Sequence, residues 1–212
     1  MVSLAAFTTP GLVKTVNEDA LGIRFSPNEI TVCICDGHWG QLAAQFACQT
    51  FLNRPFPSDK NRAIKILDSI QTRLFRLQDS PKPPETSVLA VKINLGFNTL
   101  HFVSYGDCRL MISRDHHPIF NLPTCPTWLG ALSFKNLRHR IPVSQATQFG
   151  SVTLKKTDRV LLFTDGVDEC VYETPTISNS WLASHTPDQI LNRICRHGAQ
   201  DNATFVNLQV LK

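Results

Sequence analysis

Seven carboxylates, Glu18, Asp19, Asp36, Asp107, Asp165, Glu169 and Asp201, mostly stand at the ends of apolar runs and beside Gly or Asn. A carboxylate near a core is costly unless it is paired or bound to a cation, because desolvation drives it toward protonation or toward solvent. Several such groups at strand ends point to a shared positive centre, and no Lys or Arg lies within three positions of Asp36. Oxygen donors beside Gly turns favour hard divalent cations such as Mg2+ or Mn2+, whereas zinc would prefer Cys or His clusters. Taken singly, each group also has a plainer reading. Asp36-Gly37 and Asp165-Gly166 can be turns, Asp201-Asn202 a loop pair, Glu18-Asp19 a solvated pair, His38 a structural histidine and Arg109 a surface arginine.

The elements that must position these groups follow from the periodicity. Residues 29–36 form a short β-branched apolar run ending at a carboxylate, which predicts a buried strand. After Gly37 the spacing changes: Leu42, Ala43, Phe46, Ala47, Thr50 and Phe51 predict an amphipathic helix to about Leu52. A second helix starts at Ser58 or Asp59, either of which can cap it, and carries Ile64, Leu67, Ile70, Leu74 and Leu77 on one face. Strands are expected over 87–93, 100–105 and 109–114 as an antiparallel meander, and again over 159–164 and 203–211, with a helix over 187–196. The Pro-rich stretches 81–84, 118–126 and 173–180 read as connections. Helix pairs between groups of strands give an α+β layered fold, not a parallel βαβ sheet.

Composition narrows the class. With 212 residues, 42% hydrophobic and 18% charged, the chain reads as one globular domain over 1–212. Twenty-one basic against seventeen acidic residues give +4 without a basic run, the densest group being Arg138-His139-Arg140, so nucleic acid is not the expected partner. Seven scattered cysteines without a C-x-x-C pair read as reduced core thiols. With no leader-like segment and no 18-residue apolar run, the expectation is a cytoplasmic protein without a membrane span.

The order of five motifs is more specific than any one of them: Asn17-Glu18-Asp19-Ala20, Asp36-Gly37-His38-Trp39-Gly40, Gly106-Asp107-Cys108-Arg109, Thr164-Asp165-Gly166-Val167-Asp168-Glu169 and Asp201-Asn202-Ala203-Thr204. In this order they resemble the metal-dependent protein serine/threonine phosphatases of type 2C, in a bacterial-like form with a short flap, from about Thr9 to Leu211. The resemblance implies a four-layer αββα sandwich of two antiparallel sheets flanked by helix pairs. It implies two Mn2+ or Mg2+ ions, with Asp36 bridging them, the Gly37 carbonyl on the first, and Asp165 and Asp201 on the second. Glu18 and Asp19 match the acidic pair that holds metals or their waters, and Asp107 and Glu169 match the ligands of a weaker third ion. A bridging hydroxide would attack phosphorus, and His38 would protonate the departing serine or threonine oxygen.

Some positions depart from that pattern. Lys14 stands where an Arg usually clamps the substrate phosphate, and it offers a point charge in place of a fork. Trp39 occupies a common Gly position, and Glu85 replaces the Gly before Thr86-Ser87. Cys108 stands where Ser is usual, outside any cysteine-phosphatase loop. Residues 115–149 correspond to the flap, in which Trp128 and Leu129 read equally as flap core or contact patch, and the Arg-His-Arg group as a contact for an acidic partner or a solvated loop. The implied partner is a phosphorylated protein, a kinase or its target, met by a monomer. Two other readings are a stress- or sporulation-type regulatory phosphatase of anti-sigma antagonists, and a pseudophosphatase binding module.

Overall fold

The structure is a computed structural model that describes residues 2–77, 84–131, 142–168, 177–196 and 200–211. One five-stranded antiparallel sheet has the order β1 (Val2–Thr9), β12 (Ala203–Val210), β11 (Arg159–Phe163), β8 (Arg109–Arg114), β9 (His117–Asn121). The other has the order β10 (Gln148–Thr153), β7 (Thr99–Tyr105), β6 (Val88–Asn94), β3 (Glu29–Cys35), β2 (Ala20–Phe25). A two-residue pair, β4 (Gly37–His38) with β5 (Glu85–Thr86), sits at one end.

The period of two in a strand explains the layers. In β3, Ile30, Val32 and Ile34 face the other sheet, meeting Leu110, Ile112, Val160, Leu162, Val206 and Leu208 in the central core. The alternate residues Cys33 and Cys35 face outward, where α1 (Leu42–Leu52) and α2 (Lys60–Phe75) bury Ala43, Ala47, Phe51, Leu67, Ile70 and Leu74. On the opposite flank, Met111, Leu161, Phe163 and Phe205 pack against Leu182 of α4 (Asn179–Ser184) and against Ile190 and Ile194 of α5 (Pro187–Arg196). Each such aliphatic side chain contributes about 1.5–3 kcal/mol when removed from water. The four-layer αββα sandwich is therefore present, with one further short helix, α3 (Val143–Ala146).

Local signals worked as physical chemistry requires. Asp59 is the cap of α2, accepting the Arg62 N–H at 2.8 Å, while the Ser58 hydroxyl donates to Asp59. Elsewhere the structure corrects the expectations. The stretch 118–126 is not only a connection, because Pro118 lies within β9. That strand sits at a sheet edge beside a register shift at Ile112/Ser113, where a missing N–H is tolerated. The thiols are not all core: Cys33, Cys35, Cys48 and Cys108 are buried, but Cys125 is half-buried and Cys195 is exposed. Leu129 is core, fully buried and hydrogen-bonded through its backbone to Thr86. Glu169, Cys170, the Arg138-His139-Arg140 group, 81–83 and 173–176 lie outside the described residues, whereas the rest of 173–180 is not only a connection, because Ser178 caps α4 and Asn179 and Ser180 begin it. No helix among the described residues is long and apolar enough to cross a membrane.

Candidate metal and phosphate site

The acids gather where β3, β8 and β11 end, start and end, respectively. Asp36 follows β3, Asp107 precedes β8, and Asp165 follows β11 in a single 3-10 turn, Asp165–Val167. Asp19 leads into β2 and Asp201 into β12. Two glycines allow the carrying loops to touch. A Cβ on Gly37 would lie 2.2 Å from the Glu18 carbonyl oxygen, and one on Gly166 would lie 2.0 Å from the Asn202 carbonyl oxygen.

Asn202 clasps its own loop to the 10–18 loop with an uncharged side chain. Its Oδ1 accepts the Glu18 N–H at 2.9 Å, and its Nδ2 donates to the carbonyls of Pro10 at 3.2 Å and Val16 at 3.0 Å. Glu18 in turn accepts from the Gly40 N–H and, at 3.3 Å, from Lys14 Nζ. Thus 10–18, 37–40 and 201–202 form one interlocked edge.

Within it Asp19 and Asp36 are both buried. Burial raises the Asp19 carboxyl; hydrogen bonds from Thr204 and Thr164 lower it, the charges of Asp165 and Asp201 add to the rise, and it is pushed up to about 7. Asp36 is held well above the usual carboxylate range by burial first, then by the charges of Asp19, Asp165, Asp107 and Asp201. Two buried oxygens, Asp19 Oδ1 and Asp107 Oδ1, have no hydrogen-bond partner among the described residues. Mutually repelling carboxylates with orphaned oxygens fit a divalent cation, which would supply the missing charge and the missing partner together. Among the described residues no three acid, His or Cys side chains close on one point as a finished cage. Oxygen donors of this kind suit hard divalent cations such as Mg2+ or Mn2+.

The remaining groups line the approach. Lys14 Nζ lies 3.3 Å from Glu18 Oε2 and 3.2 Å from Asp201 Oδ1, and the Asp201 side chain is about half exposed. Partial burial pulls the Lys14 ammonium down, but the hydrogen bonds and charges of Asp201 and Glu18 outweigh it and leave the group raised. His38 meets the edge of Trp128 with ring centroids 5.3 Å apart, and its buried Nδ1 has no hydrogen-bond partner among the described residues. Opposite His38 in the β4–β5 ladder stands Glu85, whose Oε1 accepts the Trp39 indole N–H at 3.1 Å. Burial raises the Glu85 carboxyl, partly offset by that hydrogen bond and by the charge of His38. Burial, then the charges of Asp36 and Asp107, hold the Cys108 thiol well above its usual range, so it is a poor nucleophile.

Sequence reasoning missed several members. Arg109, read as a surface arginine, is ion-paired with the buried Asp168 and so ties the Asp107 turn to the Asp165 turn. Thr164 and Thr204 supply the hydroxyls that hold Asp19. Their positions directly before Asp165 and after Asn202-Ala203 were the available signal. Glu169 cannot be placed beside Asp107, since it lies outside the described residues.

No family model and no curated protein sequence matches the chain. Solved structures do. The serine/threonine phosphatase of S. agalactiae superposes with a TM-score of 0.75 over 99% of this chain and 100% of that one, at 16% identity. The serine/threonine phosphatase Stp1 from Staphylococcus aureus gives 0.72 over 100% and 96%, also at 16% identity. RsbX in complex with magnesium gives 0.71 over 98% and 94%, at 15% identity. The chain has the fold of the type 2C serine/threonine phosphatases.

Proposed function

We propose that this protein is a metal-dependent phosphatase that hydrolyses phosphoserine and phosphothreonine in proteins, a kinase or its target among them. The observation that carries the reading is the buried, mutually repelling pair Asp19 and Asp36, with the orphaned oxygens of Asp19 and Asp107, at the sandwich edge of a phosphatase fold. Asp36, the Gly37 carbonyl, Glu18, Asp19, Asp165 and Asp201 would hold two Mn2+ or Mg2+ ions, and Asp107 would contribute to a third, weaker one. When bound, such ions acidify a water into a nucleophile and neutralise phosphate oxygens.

The chain's own residues do the rest. Thr164 and Thr204 fix one oxygen of Asp19, and the other, buried, has no hydrogen-bond partner among the described residues. Lys14, at the mouth, attracts the substrate phosphate as a point charge. His38, steadied by the Trp128 edge, hands a proton to the departing serine or threonine oxygen. Release of phosphate from a phosphothreonine peptide with added Mn2+, abolished by EDTA and restored by metal, is the expected result. Turnover that ignores EDTA would overturn the reading.

A narrower reading is a stress- or sporulation-type regulatory phosphatase of anti-sigma antagonists; RsbX in complex with magnesium is among the structures of similar fold. The same assay with a folded phosphoprotein beside the peptide separates the two, because the regulatory type would strongly prefer the former.

A further inference from the structure

The formal charge of the chain is unevenly distributed. Residues 42–77, which form α1, α2 and their connection, hold six basic residues, Arg54, Lys60, Arg62, Lys65, Arg73 and Arg76, against two acidic ones, Asp59 and Asp68. That surplus equals the +4 of the whole chain, so all the rest is balanced. Three of these arginines, Arg54, Arg73 and Arg76, are exposed and line one cleft of about 420 Å3 together with Phe46, Asp68 and Thr72. Among the described residues none of the three guanidinium groups is ion-paired with a carboxylate. Like charges around one shallow, open depression repel, and a bound anion relieves that repulsion.

We infer that this cleft is a docking site for an acidic stretch of a partner polypeptide. The polar lining selects the class of partner. Asp68 can only accept hydrogen bonds when ionised, and the Thr72 hydroxyl can also accept. A polypeptide offers backbone N–H groups to such acceptors while its Asp and Glu side chains meet the arginines. A phosphodiester backbone carries acceptors only, and Asp68 would repel it. Arginine pairs suit carboxylates in two-pronged contact, and Phe46 gives the cleft an apolar wall. Phe46 lies one turn, about 6 Å, along α1 from Leu42. Just ahead of that helix is Gly40, whose N–H goes to Glu18 at the acidic edge. In a protein that acts on other proteins, the cleft would select partners that carry an acidic stretch. That role rests on the proposed phosphatase reading, whereas binding itself does not.

The test is fluorescence anisotropy of the full chain with a labelled Glu/Ser peptide of about a dozen residues, beside a Gln/Ser peptide of equal length. The Glu/Ser peptide is expected to bind and to weaken as salt rises, and the Gln/Ser peptide is not. The R54E/R73E/R76E variant should bind the acidic peptide at least about tenfold more weakly, with unchanged phosphate release from a phosphothreonine peptide. If that variant fails to fold by circular dichroism, R54Q/R73Q/R76Q serves in its place with the same expectation. Equal binding of the neutral peptide, full affinity in the folded variant, or tighter capture of an oligothymidylate or of phosphatidylserine vesicles would each overturn the inference.

Discussion

The Thr204 hydroxyl donates to Asp19 Oδ2 at 2.7 Å, joining the start of β12 to the start of β2 across 185 positions of the chain. Thr164 donates to the same oxygen at 2.9 Å, and the Thr204 N–H bonds Thr164 Oγ1 at 3.0 Å. A buried carboxylate is thereby held by neighbours that carry no charge. Thr204→Val keeps the shape and removes one donor. It should destabilise the fold by about 1–3 kcal/mol in urea titrations near neutral pH, with a further loss of cation affinity measured calorimetrically.

The raised Asp19 carboxyl gives a pH dependence with a definite sign. Its native value of about 7 lies above the ordinary 3.8, so the folded chain binds more protons than the unfolded chain between those limits. Stability of the metal-free protein should therefore fall as pH rises from about 4 to about 7, by an amount on the order of a few kcal/mol, and Asp36 adds in the same direction. Saturating Mg2+ should flatten that decline. Denaturant midpoints at several pH values, with and without the ion, measure it; a midpoint that climbs over this range in the metal-free protein would contradict the burial of these acids.

Lys14 bridges Glu18 and Asp201, so its ammonium competes with any cation those carboxylates hold. Lys14→Met removes the competitor. Mn2+ should bind about three- to tenfold more tightly in calorimetric titrations, while KM for a phosphopeptide rises because the phosphate loses its point charge. Unchanged Mn2+ affinity would mean that the two ion pairs, at a partly exposed site, are too weak to matter.

Asp36→Ala and Asp165→Ala should each lower turnover of a chromogenic phosphate ester by about a thousandfold or more. Cys108→Ser should leave it within about twofold. The Cys108 Sγ is buried 3.0 Å from the Ser87 hydroxyl, and a serine there can keep that contact. Loss of turnover in the cysteine variant would assign the thiol a role that its burial and raised titration argue against.

Arg114 and Asp158 form a fork at the opposite end of the sandwich, at 2.7 and 2.9 Å, and Asp158 is fully buried. Asp158→Ala should lower the denaturant midpoint, since it unpairs Arg114 and leaves the Lys155 N–H, which Asp158 accepts at 2.8 Å, without its acceptor. The site lies beyond the other end of β11, about 17 Å away, so kcat at low temperature should be unaffected.

Much of this was legible in the sequence wherever one face is apolar and one period dominates. β3, β8, α2 and α5 fall within a residue or two of the stretches that periodicity marks. β1, with half-buried and exposed residues interleaved, β2, half-buried along all but its last residue, and β10, with Gly150 and Ser151 in its middle, lack the continuous apolar run that would mark them. The acids could be named because motif order is a linear property. The Arg109–Asp168 pair, the Asn202 clasp and the lock of Lys14 onto two carboxylates are set by the crossing of loops, which spacing does not encode.

In β3, Ile30, Val32 and Ile34 turn one way, Cys33 and Cys35 the other, and Asp36 follows directly. Strand parity and catalytic geometry are consequently one variable. Inserting a single residue ahead of Asp36 would exchange the two apolar linings and rotate the acid out of its assembly in the same stroke. Damage to reactivity and damage to folding would arrive together there, and no second change elsewhere in the strand could mend one without the other.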